Sequence, residues 1–264
     1  MKISIITICF NNEEDIRPTI ESVISQTYAN IEYIVVDGGS SDGTLDIVNE
    51  YSGLIDSITS EPDEGMYDAI NKGIGVATGD IVGLIHAGDR LFDENVVSRI
   101  ADHFASHDID AMYGHSILVN SDDNPVRVNK SPIFRKSLFK AGWMPSHQSI
   151  YIRKELFDKL GYYRLDFGGS GDYELVLRYF YFNDLNIKRL DSFIIRFSMG
   201  GRSTSNYRKR LWKSQKTHIQ AWRLNGAEPP FYFVPFKLLR KVKQFYLAAQ
   251  FRLSNKIVIN ERQT

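Results

Sequence analysis

The feature that most constrains this chain is a pairing that recurs through its first 90 residues: a short apolar, β-branched run, a polar turn, then apolar residues at helical spacing. "KISIITICF" is followed by Ile16, Ile20, Val23 and Ile24, with Asn11 and Asn12 as candidate helix caps. "IEYIVVD" leads through the turn cluster "GGSSDGT" to Thr44, which starts a second helical pattern carrying Leu45, Val48 and Tyr51. A weaker strand in "DSITSEPDEG" precedes a short helix marked by Tyr67, Ile70 and Ile74 and ending at Ala77-Thr78-Gly79. "DIVGLIHAGD" is the third strong strand. Such alternation predicts an α/β fold with a doubly wound, mostly parallel sheet flanked by helices, in which ligands bind at the carboxyl ends of the strands. Asp37 and Asp89 both fall there.

The second half is less regular. "DAMYGHSILV" and "HQSIYIR" read as strands, "GDYELVLRYFYF" as an amphipathic helix, and "IKRLDSFIIRF" as another strand before the glycine-rich "SMGGRSTS". From Asn206 the pattern is helical and basic, with 14 Lys/Arg against 2 Asp/Glu over residues 200–264. No internal repeat or low-complexity linker interrupts the chain.

Composition narrows the class. The 264 residues are 43% apolar and 24% charged, which is ordinary globular usage and excludes wholesale disorder. The single cysteine, Cys9, forms no internal disulfide or cysteine cage, and a reducing compartment is expected. No run approaches the ~18 apolar residues of a spanning helix, and Met1–Ile8 is too short for a signal sequence, so a soluble or peripheral protein is expected. Net charge is zero, yet residues 1–110 hold 21 acidic against 5 basic residues and residues 111–264 hold 11 against 27. The two halves are predicted to meet different partners, the basic one a phosphate or an anionic surface.

Individual residues allow two readings each. Asp37 ends a buried strand before two glycines that let a ligand approach, or it is a turn carboxylate. Asp89 is a hard oxygen ligand suited to Mg²⁺ or Mn²⁺, or it caps a helix in "RLFDENVV". Asp172 opens a helix beside a glycine segment, as a reactive carboxylate or as a cap. Asp63, Glu64 and Asp68 crowd the loop "EPDEGMYDAINKG", where acidic surface residues are common. His86 reads as a packing or hydrogen-bonding residue.

In combination, "SIITICFNNEEDIRPTIESVISQTY", "EYIVVDGGSSDGT", "EPDEGMYDAINKGIGVATGDIVGLIHAGD", "HQSIYIRKELFDKLGYY" and "GDYELVLRYF" resemble the family 2 glycosyltransferases of GT-A fold. More closely, they look like the bacterial subgroup that builds surface polysaccharides such as colanic acid, O-antigens and exopolysaccharides. The resemblance spans about residues 2–204. It implies a catalytic domain over 1–204, with a nucleotide-sugar-binding half at 1–110 and an acceptor-binding half at 111–204. A basic, amphipathic helical extension then runs over 205–264.

The resemblance also implies an inverting, hexosyl-type transfer from a nucleotide sugar to an acceptor hydroxyl. Asp37 would contact the nucleotide base with Thr7 lining the same pocket, and Asp68 would join the nucleotide-sugar site. Asp89 would hold Mn²⁺ or Mg²⁺ on the diphosphate, and Asp172 would be the general base. His147, Gln148 and Arg202 are the candidate acceptor contacts. The chain departs from the family pattern at His86-Ala87-Gly88-Asp89, where relatives carry more acid, at Gly171, where a glutamate usually precedes the base, and at Ile70, where many carry arginine.

Other classes fit less well. A nucleotidyltransferase would carry a glycine- and lysine-rich loop where this chain has "CFNNEEDIRP", and a dinucleotide-dependent oxidoreductase would carry GxGxxG there. A nucleic-acid-binding module would use the basic tail with Tyr207, Trp212, Trp222 and Phe231, but the acidic first half would repel a phosphate backbone. The tail "FYFVPFKLLRKVKQFYLAAQFRL" is expected to hold the enzyme against the anionic inner face of the cytoplasmic membrane, beside a lipid-linked glycan acceptor. The alternative is packing on the catalytic domain or on a second copy in a homo-oligomer.

Overall fold

The structure, a computed structural model, describes residues 1–120, 122–198 and 207–237, the side chains of 207–213 excepted. Arg202, the glycine-rich segment before it and the tail beyond Lys237 therefore lie outside the described residues.

The first half follows the predicted alternation. Strand β1 (Ile3–Cys9) leads to α1 (Ile16–Ile24), β2 (Ile31–Asp37) to α2 (Thr44–Glu50), and β3 (Ser57–Ser60) to α3 (Met66–Val76), before β4 (Ile81–His86). A two-residue strand β5 (Arg90–Leu91) and helix α4 (Val96–Ala105) follow. The second half contains β6 (Ala111–Val119), β7 (Pro125–Asn129), α5 (Ser137–Lys140), β8 (Ile150–Arg153), α6 (Glu155–Leu160), α7 (Gly171–Leu177), β9 (Ile187–Ser198) and α8 (Tyr207–Leu224).

All strands share one sheet, ordered β3-β2-β1-β4-β8-β6-β9-β5, with β7 paired to β6. Strands β3, β2, β1 and β4 are parallel, and β8 then joins β4 antiparallel, so the sheet is mixed. Both faces of its centre are covered. Ile6, Ile8, Ile34 and Val36 pack with Ile70 and Ile74 of α3 on one side. Ile3, Ile5, Tyr33 and Val35 pack with Ile16 and Ile20 of α1 and Ile100 of α4 on the other. Period-two alternation between two cores explains why these strands read as unbroken apolar runs.

Several local expectations change. Asp15, not Asn11 or Asn12, is the residue before α1, and the Asn12 carbonyl accepts from Ile16 N–H at 2.9 Å. No helix starts at Asp89, because Arg90 and Leu91 are drawn into pairing with β9. The expected amphipathic helix over 171–182 is α7 followed by a π turn, Arg178–Phe182. Gly171 and residues 173–177 are all buried, so α7 is an interior helix rather than a two-faced one.

The described part of the C-terminal segment joins the core. Ala221, Trp222 and Phe233 are buried with α7, Trp222 donates to the Tyr173 hydroxyl at 2.9 Å, and the His218 ring stacks on Tyr173 at 3.8 Å. No helix among the described residues is long and apolar enough to cross a membrane.

Candidate active site

The carboxyl ends of β1, β2 and β4 lie side by side, since Cys9 pairs with Asp37 and Ile8 with His86. Asp37 is fully buried. Its carboxylate accepts from Ser40 N–H at 3.0 Å, from the Ser60 hydroxyl at 2.7 Å and from the Ser40 hydroxyl. The turn role is therefore filled, and a ligand reaching Asp37 must exchange with a serine hydroxyl.

Thr7 requires a correction. It has no exposed surface and its hydroxyl is shared with Tyr33 OH at 3.1 Å, so it braces β1 against β2 and offers no exposed atom to a ligand. The cause is pleat: Thr7 points into the same layer as Ile5 and Tyr33.

Asp89 sits in the turn after β4. The Thr19 hydroxyl of α1 clamps that turn, accepting from Gly88 N–H at 3.0 Å and donating to the Asp89 carbonyl at 2.7 Å. The Asp89 carboxylate accepts from the Gln148 amide at 2.7 Å and from Ser198 N–H at 3.4 Å. Burial, reinforced by the negative charge of Asp15 and opposed by the Ser198 N–H, pushes its carboxyl up to about 7. The Asp15 carboxylate lies against the same turn, with Oδ2 3.9 Å from where a Cβ on Gly88 would stand.

Two neighbouring carboxylates suit a divalent ion. Among the described residues no group of three or more His, Cys, Asp or Glu is placed to hold a metal alone. An ion here would complete its shell with phosphate oxygens and water, as Mg²⁺ and Mn²⁺ commonly do.

Asp172 occupies the first turn of α7, where its carboxylate accepts from Tyr67 OH at 3.1 Å. Burial raises its carboxyl above the ordinary carboxylate range, against the Tyr173 N–H, the Tyr67 hydroxyl and the charge of Lys237. The preceding glycine is required by Tyr67: a Cβ on Gly171 would stand 2.8 Å from the Tyr67 ring and 3.0 Å from the Arg164 carbonyl. Tyr67, from α3, occupies the space that a side chain at position 171 would take.

Asp89 and Asp172 are linked through side-chain contacts and the peptide bond between His147 and Gln148. Tyr67 stacks on Tyr163, with centroids 5.6 Å apart and planes within 7°. The Tyr163 hydroxyl meets His147 Nε2 at 2.7 Å, and Gln148, which contacts Asp89, is the next residue. His86 lies beside His147 at 5.8 Å between ring centres. Desolvation holds His86 down to about 3, aided by His147, and His147 down to about 4, so both rings are neutral. His86 Nδ1 is buried with no hydrogen-bond partner.

The expected acceptor residues His147 and Gln148 thus face the interior tyrosine and the donor-side carboxylate respectively. Asp68 lies at the start of α3, accepting from Glu64 N–H at 3.1 Å and pairing with Lys72 at 3.3 Å. Glu174 is committed elsewhere, in a bidentate pair with Arg178 at 3.0 Å. Sequence reasoning missed Tyr163 and Thr19 and took Tyr67 only as a helix marker. Gly171 was the available signal for Tyr67.

The model of glycosyl transferase family 2 matches residues 4–166, more than half of the sequence. The chain belongs to glycosyl transferase family 2. An uncharacterized glycosyltransferase of Mycobacterium tuberculosis is 36% identical over 184 residues, 67% of this chain and 68% of the relative. A PGL/p-HBAD biosynthesis glycosyltransferase of Mycobacterium bovis is 32% identical over 165 residues, 61% of this chain and 62% of the relative.

Among solved structures, S. aureus TarS in complex with UDP-GlcNAc superposes with a TM-score of 0.68 at 21% identity, over 85% of this chain and 65% of that one. The mannosyltransferase PcManGT from Pyrobaculum calidifontis, in complex with GDP-Man and Mn²⁺, gives 0.62 at 16%, over 94% and 73%. These two likenesses establish the GT-A-like fold, and this family 2 member spans less than two thirds of the TarS chain. The family assignment makes it a glycosyltransferase that uses a nucleotide sugar.

Proposed function

We propose that this family 2 enzyme is an inverting, metal-dependent glycosyltransferase that passes a sugar from a nucleotide sugar to a hydroxyl of a lipid-linked glycan in bacterial surface-polysaccharide synthesis. The observation that carries the reading is the pair of raised carboxyls, Asp89 and Asp172, joined through Gln148, His147, Tyr163 and Tyr67.

Asp172 takes the acceptor proton. A carboxyl raised by burial is a stronger base than an exposed one, and the Tyr67 hydroxyl fixes which oxygen faces the incoming group. Direct attack from the Asp172 side inverts the anomeric carbon, and no covalent bond to the protein is needed. Asp37, with Ser40 and Ser60 as exchangeable partners, faces the base, and Asp68 serves the donor from the loop before α3. Asp89, with Asp15 beside it, would hold Mn²⁺ or Mg²⁺, which supplies charge stabilisation of the departing nucleoside diphosphate. Gln148 holds the Asp89 carboxylate in place, and neutral His86 and His147 keep added positive charge away from the base.

Phe231, 95% exposed, and Phe236, 50% exposed, form an aromatic cluster with Tyr232 next to Lys237. Exposed aromatics beside a basic tail support peripheral attachment to an anionic leaflet on the cytoplasmic side. Co-sedimentation of the full chain with anionic vesicles, weakened by salt and by Phe231→Ala with Phe236→Ala, is expected. Equal pelleting with neutral vesicles, or none, removes this part of the reading.

The deciding experiment is a panel of UDP-, GDP- and dTDP-sugars, assayed for binding and slow hydrolysis with and without Mn²⁺. Ion-dependent binding of at least one donor is expected. A protein that binds none of them defeats the reading.

A further inference from the structure

A cleft of about 230 Å³ lies between the loop that opens α3 and the turn that precedes α7, and of its lining residues only Tyr67 and Asp68 have a role above. Met66 and Leu165, each 43% exposed, flank it, Tyr67 lines it, Glu64 and Asp68 stand at its rim, and Gly168 and Gly169 leave one wall without side chains.

We propose that this cleft seats the terminal monosaccharide ring of the acceptor, an inference that rests on the transferase reading. Position is the first argument. Tyr67 lines the cleft and also donates to Asp172 at 3.1 Å, so a ring seated here presents a hydroxyl beside the carboxylate that removes its proton.

Charge is the second. No lysine or arginine is among the described residues lining the cleft, so its lining holds no cation to balance a nucleoside diphosphate, and a neutral sugar needs none. Size agrees, because the volume is below the roughly 300–1,000 Å³ of sites that bury drug-sized ligands and suits one ring rather than a nucleotide sugar. Chemistry is the third. A pyranose has an apolar C–H face, matched by Met66, Leu165 and the Tyr67 ring, and hydroxyls whose protons Glu64 can accept.

Gly169 gives a clean test. A Cβ there meets nothing within 4 Å, and its φ of −77° is open to any residue, so Gly169→Leu puts a side chain into this region without clash or backbone strain. Leu165→Asp, at an exposed position, is a second and independent variant.

The probes are methyl glycosides of glucose, galactose, mannose and rhamnose, followed by saturation-transfer NMR on the full chain. Calorimetry with UDP and GDP on the same samples reports the donor site. Wild type is expected to saturate the C–H protons of at least one glycoside, and both variants to lose the signal by about tenfold or more, the cost of one lost apolar contact. UDP or GDP affinity is expected to be the same in all three proteins. No glycoside signal in wild type, or signals equal to it in both variants, overturns the cleft assignment and leaves the transferase reading standing. Failure of wild type to bind either diphosphate counts against the transferase reading itself.

Discussion

The two ends of the parallel strands treat a buried carboxylate in opposite ways. At the amino end, Glu32 accepts from Lys2 Nζ at 2.8 Å, Ser4 Oγ at 2.5 Å, Thr78 N–H at 2.7 Å and Gly79 N–H at 3.3 Å, and from the Thr78 hydroxyl. Burial alone would raise its carboxyl, but these donors outweigh it and hold the group down to about 2. At the carboxyl end, Asp89 is pushed up to about 7 and Asp172 is raised, each with fewer donors than Glu32. One end is balanced within the fold. The other is balanced only when something binds or a proton arrives, which is how a site differs from a brace.

Asp172→Asn tests the unbalanced end most severely. Transfer is expected to fall by about 10²–10⁴-fold while donor binding by calorimetry is retained. Parallel loss of donor affinity would make Asp172 a brace like Glu32 and erase the contrast.

Glu32→Gln tests the balanced end. The amide leaves Lys2 and the Thr78 donors without a charged acceptor, and a loss of about 1–3 kcal/mol in urea unfolding at pH 7 is expected. The sign follows from the lowered carboxyl: its stabilisation is present above the ordinary value near 4.5 and is lost as pH falls through about 2. The gap between variant and wild type should therefore close on acidification. A gap that does not change with pH would show that packing, not charge, is lost.

Tyr67→Phe sharpens the comparison by removing one donor from Asp172. About a tenfold fall in kcat is expected from the loss of a hydrogen bond to a charged group. The acidic limb of the kcat profile should also move to higher pH, because the hydroxyl favours the ionised carboxylate. A fall in kcat with an unmoved limb would assign Tyr67 to packing on Tyr163 alone.

Strands β1, β2 and β4 were legible because burial on both faces writes an uninterrupted apolar run, and their ends mark Asp37 and Asp89 without further information. Asp172 was legible as a first-turn residue of a helix. The second half was not, because β6 pairs with β8, β7 and β9 at separations that no local pattern encodes. Charge concealed the docking of α8, whose His218, Ala221 and Trp222 lie at helical spacing among lysines and arginines. The contact between Tyr67 and Asp172 spans 105 positions, and its trace in the sequence is Gly171, where a Cβ would meet the Tyr67 ring. Thr7 shows the reverse error: adjacency to a functional strand end says nothing about which face a side chain takes.

The smallest expected effect bears most directly on the contrast. Asp89 has a folded value near 7, above the ordinary 3.8, so its protonated form stabilises the fold below about pH 4 and that contribution is lost as pH rises through about 7. Without divalent ions, Asp89→Asn should match wild type near pH 4 and exceed it by about 1 kcal/mol or more at pH 8, because the amide no longer has to ionise beside Asp15. Adding Mn²⁺ at pH 8 should reverse the order, since only wild type gains the ligand-binding term. Thermal unfolding at the two pH values, with and without the ion, measures all of this. A variant already less stable than wild type at pH 8 without Mn²⁺ would mean that Gln148 and Ser198 balance the Asp89 charge unaided, and both ends of the sheet would then be braces.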